Sequence, residues 1–140
     1  MQRTTKTKPV TPENMRKMAM DIMDYLYKVD MFEDVIILVD NEFWRSNIWL
    51  GENAYKKMTT KKGTPYLCRE NYDIASHDEH VNPETVTIII DGSPISKEIN
   101  GWISGYDKWV YRVFNKKFAY KYGLHFEMPH CWMLTAHKNM

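Results

Sequence analysis

Hydrophobic and polar positions along the chain switch between two periods, and the switches predict its elements. At Thr11-Pro12-Glu13 the sequence supplies a cap oxygen, a proline for the first helical position and an acid for the first turn. Met15, Met18, Ala19, Ile22, Leu26 and Val29 then recur at helical spacing, with Arg16, Lys17, Asp21, Asp24 and Lys28 on a face that reads as solvated. Residues 34–40 are apolar on both faces and predict a buried strand. Asp40-Asn41-Glu42 is turn chemistry, and residues 43–50 can return as its hairpin partner. Periodicity is lost over 51–63, a segment with Lys56, Lys57, Lys61 and Lys62 expected as a loop or short helix. Residues 65–70 suit a further strand, and 71–84 form the longest stretch without a period.

The strongest local pattern is Thr85-Val86-Thr87-Ile88-Ile89-Ile90-Asp91-Gly92-Ser93-Pro94. Its β-branched run predicts a central strand, its Asp-Gly a turn, and its Ser-Pro the cap and first position of a helix. Ile95, Ile99 and Gly101 suggest a short helical turn. A longer helix is expected over about 104–122, with Tyr106, Trp109, Val110, Val113 and Phe114 inward and Gly123 as its stop. Residues 124–136 alternate as one strand interrupted by Pro129, which demands a bulge or a free edge. These elements predict an α+β fold: a two-layer domain with a mixed, mainly antiparallel sheet of four to five strands and two main helices on one face. If strands 85–91 and 130–136 pair in parallel, their crossover should be right-handed. Residues 1–10, with Arg3, Lys6 and Lys8, are expected as a flexible basic arm preceding a single domain over 11–140.

Composition narrows the functional classes. The 140 residues are 44% hydrophobic and 26% charged, as in ordinary globular domains. The longest apolar run, 35–39, is far short of the roughly 20 residues of a membrane span. Residues 1–9 are polar and basic with no apolar core behind them, so no signal peptide is expected and a cytoplasmic location is the default. Cys68 and Cys131 stand far apart and are expected as reduced core or strand residues. Net charge is only +1, against nucleic-acid binding by bulk electrostatics, whereas the 14% aromatic content suits an interface or a dense small core.

Asn82-Pro83-Glu84, the apolar strand with Asp91-Gly92-Ser93-Pro94, Tyr122-Gly123-Leu124, Phe126-Glu127 and Trp132-Met133-Leu134-Thr135-Ala136 resemble a loose group of small proteins encoded on phages and conjugative elements of Gram-positive bacteria. The resemblance covers about the second half of the chain and implies a mobile-element setting, in which small proteins often bind a host factor, including defence machinery.

Three functional readings follow. The leading one is a non-enzymatic protein that binds a host or element-encoded protein, with no cofactor and no membrane association, a homodimer being an alternative arrangement. Trp44, Trp49, Tyr72, Asp73, Asp78, Glu79, Trp102 and Trp132 would supply its recognition surface. The second is a nucleic-acid-binding module using Lys108, Arg112, Lys116, Lys117 and Lys121 on the helix over 106–122, beside Tyr111 and Tyr120. The third is a metal-dependent hydrolase centred on His77 and His80, whose spacing departs from the helical H-E-x-x-H pattern and which needs a third ligand from elsewhere. His130 and Cys131 are adjacent and would point to opposite faces of a strand, so they share a ligand set only across a bulge.

Overall fold

A computed structural model describes residues 7–46, 55–101 and 103–139. Helix α1 (Pro12–Lys28) begins as its sequence dictates: the Thr11 hydroxyl accepts the Asn14 N–H at 3.1 Å and Pro12 takes the first position. Its buried face is Met15, Met18, Ala19, Ile22, Met23 and Leu26. Strands β1 (Ile36–Val39) and β2 (Glu42–Arg45) form a hairpin about Asp40 and Asn41, both left-handed at φ 49° and 57°, the backbone of a type I′ turn. Then come β3 (Lys56–Thr59), β4 (Pro65–Arg69), β5 (Thr87–Ile89), α2 (Pro94–Gly101), the single turn α3 (Ile103–Tyr106), a π-helix (Asp107–Ala119), β6 (Leu124–His130) and β7 (Met133–Lys138).

The strands form one seven-stranded sheet in the order β3-β4-β2-β1-β5-β7-β6, every neighbouring pair antiparallel. The α+β class is as expected, but the count of four to five strands is too low and the mixed sheet is a fully antiparallel one. Two signals were hidden. Strand β3 is an edge exposed along its whole length, so it has no apolar face to create a period, and its lysines are of the kind that blunt a free edge. The run 124–136 is two strands folded at Cys131 and Trp132, a turn without the usual glycine or asparagine. That hairpin also sets β7 antiparallel to β5, so no crossover between parallel strands exists here.

One face of the sheet packs under α1, α2 and the π-helix through Ile37, Val39, Ile88, Ile90, Phe126 and Leu134. Each such side chain fully buried contributes roughly 1.5–3 kcal/mol. α1 is also tied to the sheet by polar contacts: Glu42 Oε1 accepts from Arg16 Nη1 (2.8 Å), Trp44 Nε1 (2.8 Å) and Cys68 Sγ (3.3 Å). Arg16 lies over the Trp44 ring at 5.3 Å, and Asp24 accepts from the Thr60 and Thr64 hydroxyls at 2.6 and 2.7 Å. Arg16 and Asp24 are therefore partnered, not free in solvent, and Trp44, expected on a recognition surface, is fully buried. Residues 7–10, expected within a free arm, lie against the domain: the Lys8 N–H donates to the Lys121 carbonyl and Val10 packs on the core. Among the described residues no helix is long and apolar enough to cross a membrane.

The expected helix over 104–122 is present with different winding. The Tyr120 N–H donates to the Asn115 carbonyl, five residues back, and Arg112 Nε bonds Asp107 Oδ2 at 2.8 Å across the same interval. The buried residues are Trp109, Val110, Val113, Phe114, Asn115, Phe118 and Ala119, while Tyr106, expected inward, is 46% exposed. Tyr106 ends α3, ahead of the first residue of the π-helix. Gly123, left-handed at φ 69°, ends the following 3-10 turn as expected.

Two consequences are measurable. A Cβ at Gly105 would lie 1.9 Å from the Glu98 carbonyl oxygen, so Gly105→Ala forces α3 away from α2 and should destabilise by about 1–3 kcal/mol or more in urea unfolding. Burial alone would raise the Glu42 carboxyl, but hydrogen bonds from Arg16, Trp44 and Cys68, with the Arg16 charge, hold it below the usual carboxylate range. Its contribution is present above the unfolded-state value and lost as pH falls through the folded one. Glu42→Gln should therefore lower stability by about 1–3 kcal/mol at neutral pH and flatten the acid limb of the stability profile.

Candidate metal centre

The second face of the central strands is also buried, and among the described residues the only helical turn over it is a short 3-10 turn (Ile74–Ser76). Leu38, Phe43, Ile89 and Met133 point to that side, where the cover is irregular chain over 70–84 carrying Ile74 and Val81 inward. The cover is fastened at both ends. The Tyr72 N–H donates to the Asn41 carbonyl at 2.8 Å, and its ring meets Phe43 edge-on at 5.2 Å. Further along, Asn82 donates its backbone N–H to Thr135 Oγ1 (3.2 Å) and its side-chain amide to the Ala136 carbonyl (3.1 Å), which also accepts from the Thr85 hydroxyl (2.6 Å). Asp78 and His80, just before Asn82, are thereby held against the β6–β7 hairpin.

From the hairpin side comes His130. β6 is the outer strand of the sheet, and its register against β7 shifts between Glu127 and His130. Both expectations attached to Pro129, an edge and a bulge, are met together. The shift pairs His130 with Met133, on the face that the irregular segment covers. His130 Nε2 lies 3.2 Å from Asp78 Oδ2 and 3.3 Å from Oδ1, and the His80 ring stands edge-on to His130 at 4.9 Å. One ligand atom from each of Asp78, His80 and His130 lies within 4.8 Å of the other two. The indole of Trp132 stacks on His130 at 4.6 Å and 9°, limiting the orientation of the imidazole.

Electrostatics favour an anion at Asp78. The His80 backbone N–H, 2.9 Å from Oδ1, is the main cause holding its carboxyl below the usual range; desolvation opposes this and the His130 ring adds to it. Side-chain exposures of 19% for Asp78, 30% for His130 and 44% for His80 leave the group open on one side. Two imidazoles and one carboxylate, with a free approach from solvent, form a donor set suited to zinc or ferrous iron. For bonds of about 2.0–2.1 Å, tetrahedral geometry separates ligand atoms by roughly 3.3 Å, close to the Asp78–His130 separation.

His77, the sequence-based partner of His80, is not in this group. Its Nδ1 is 2.9 Å from the Tyr72 hydroxyl, its ring lies by Phe43, and burial lowers its pKa, which favours the neutral ring. On the 3-10 turn and the bend after it, neighbouring histidines diverge: His77 goes toward β2 and His80 toward β6. The third ligand-type side chain is His130, 52 residues from Asp78, and the bulge expected at Pro129, through which His130 could join a ligand set, is present beside it. A second histidine pair, His125 and His137, flanks Glu127 at 2.9 and 3.8 Å, with the His125 hydrogen bond chiefly lowering the Glu127 carboxyl. Among the described residues, only the Asp78 group closes into a mutual trio.

The remaining expected residues are dispersed. Asp73 and Glu79 are exposed on the irregular segment, Glu79 Oε1 lying 3.5 Å from His80 Nε2. Tyr72 and Trp132 are half-buried, while Trp49 and Trp102 lie outside the described residues. On the π-helix, Lys108 is 3.4 Å from Glu98, Lys117 sits over the Tyr25 ring, and Arg112 and Lys116 flank exposed tyrosines; on the 3-10 turn after it (Tyr120–Tyr122), Lys121 sits over Tyr122. Comparison with protein-family models, curated proteins and solved structures finds no match.

Both cysteines are free, but their environments differ. Cys68 is buried in β4, as a core or strand residue was expected to be, and desolvation and its bond to Glu42 push the thiol up to about 12; Cys131, expected likewise in core or strand, is exposed in the β6–β7 turn. A thiol-specific colorimetric reagent at pH 8 should therefore titrate one cysteine in the native protein and the second only in denaturant.

Proposed function

We propose that the protein binds a divalent transition-metal ion through Asp78, His80 and His130, with solvent-side positions left for a water and a substrate. The observation that carries this is the convergence of three ligand-type side chains from two separate segments within 4.8 Å, anchored by the Asp78–His130 contact. The surrounding interactions support it. Asn82 positions the ligand segment and Trp132 orients His130, work that a solvated surface cluster does not require. A metal held by these three side chains would lower the pKa of a bound water and polarise a substrate oxygen, the chemistry of metal-assisted hydrolysis. Glu79, exposed with its Oε1 3.5 Å from His80 Nε2, is the nearby carboxylate that would serve as a proton acceptor for a metal-activated water.

The protein-recognition reading draws less support. Trp44 belongs to the core, and Trp132 is engaged with His130.

Tag-free protein titrated with cobalt(II) and zinc(II), followed by the visible spectrum of cobalt and by calorimetry, tests the assignment. One equivalent should bind. His130→Ala and Asp78→Asn should weaken binding by more than the roughly 10–100-fold typical of losing an outer-shell partner, and His77→Ala should leave it unchanged. Binding that is absent, or equally strong in all three variants, removes the site.

A further inference from the structure

The π-helix carries a second feature, independent of the metal centre. Winding with i→i+5 bonds aligns residues five apart, as the Asp107–Arg112 pair and the Trp109–Phe114 ring contact at 6.1 Å show. Tyr106, Tyr111 and Lys116 follow that interval, and Tyr120 comes four later. In an α-helix residues five apart point about 140° from each other, which would scatter these side chains around the axis. Here Tyr106, Tyr111 and Tyr120 line a single open hollow of about 570 Å³ and are 46%, 58% and 43% exposed. They are three of the few large hydrophobic side chains so exposed among the described residues; Tyr111 lies on the π-helix, with Tyr106 at the end of α3 before it and Tyr120 at the start of the 3-10 turn after it.

Beside them lies a second hollow of about 540 Å³, bounded by Asp107, Tyr111, Arg112, Lys116 and Tyr120. Tyr111 and Tyr120 form the ridge common to both. Residues 104–122 hold five cations (Lys108, Arg112, Lys116, Lys117 and Lys121) against one acid, Asp107, which Arg112 engages. The far wall of the first hollow instead carries Glu127. A chain lying along this face would therefore meet aromatic surface on the ridge and positive charge on one side only.

We propose that this face binds single-stranded nucleic acid, with bases stacking on Tyr111 and Tyr120 and phosphates paired to Arg112 and Lys116. Exposed aromatic rings beside cations are what an unpaired strand uses, because every base offers a π-face and every linkage a charge. A duplex hides those base faces, and a run of carboxylates such as poly-glutamate has no rings for the tyrosines to receive. The small net charge of the protein agrees with a short contact dominated by stacking and not with binding by bulk charge.

Fluorescence anisotropy with labelled 15-mers of thymidylate and uridylate tests this, in chelator so that metal plays no part, beside a duplex of equal length and poly-glutamate. Single strands should bind at 20 mM salt and weaken with a log–log slope of about −1.4, as expected for two phosphates. Tyr111→Ala and Tyr120→Ala should each cost about 5- to 150-fold, with Tyr→Phe retaining affinity and circular dichroism unchanged. The proposal fails if no single-strand complex forms at 20 mM salt, if the tyrosine variants bind as well as the parent, or if duplex or poly-glutamate binds equally tightly.

Discussion

The central strands β1 and β5 are apolar on both faces, and that constraint organises the molecule. Ile37, Val39, Ile88 and Ile90 need cover on one side, Leu38 and Ile89 on the other. A sheet buried on one face alone would leave the second set in water, at roughly 1.5–3 kcal/mol for each large side chain. Two major helices are enough for a single layer. The remaining cover must come from chain with no regular structure, and its backbone polar groups have to be satisfied individually. Asn41, Asn82, Thr85 and Thr135 do this, which makes the irregular segment a fixed part of the fold.

The candidate metal centre follows from that arrangement. The segment 70–84 leaves β4, is fastened to Asn41 at the β1–β2 turn and to Thr135 and Ala136 of β7 before it enters β5, and so passes the outer hairpin, where Asp78 and His80 meet His130. The hairpin contributes through an irregularity of its own. A proline in an edge strand breaks the ladder without leaving a buried unpaired group, and the resulting register shift turns a histidine toward the segment. Thr87 and Thr135, hydrogen-bonded at 2.9 Å beneath the cover, supply polar anchorage, Thr135 Oγ1 accepting the Asn82 backbone N–H.

On the opposite side of the sheet, the π-helix redistributes one sequence between core and surface. Trp109, Phe114 and Ala119 stack inward at intervals of five, and the same winding brings the tyrosines into register outside. Its start is crowded: Gly105 is the residue that permits α3 to pass the Glu98 carbonyl. The two candidate sites thus occupy different layers and depend on different departures from regular geometry, a strand bulge in one and a widened helix in the other.

Local patterns in the sequence determined the capped start of α1, the Asp40-Asn41 hairpin, the strand from Thr87, the Ser93-Pro94 helix start and the stop at Gly123, because each depends on near neighbours. The hydroxyl of Ser93 accepts the Ser96 N–H at 3.2 Å as its position implied. Strand β3 escaped because an edge exposed on both faces carries no period. The direction of β7 escaped because two consecutive strands mimic one when their turn lacks the usual residues. Which acids and histidines converge could not be read either: His77 and His80 are near in sequence but diverge on a tight bend, whereas Asp78 and His130 meet across 52 residues. Cation and tyrosine spacing was legible on the long helix, but the face those residues share depends on the number of residues per turn. In the observed winding Phe114 meets Phe126 of β6 and Phe118 meets Tyr25 of α1, tertiary contacts that no local pattern specifies.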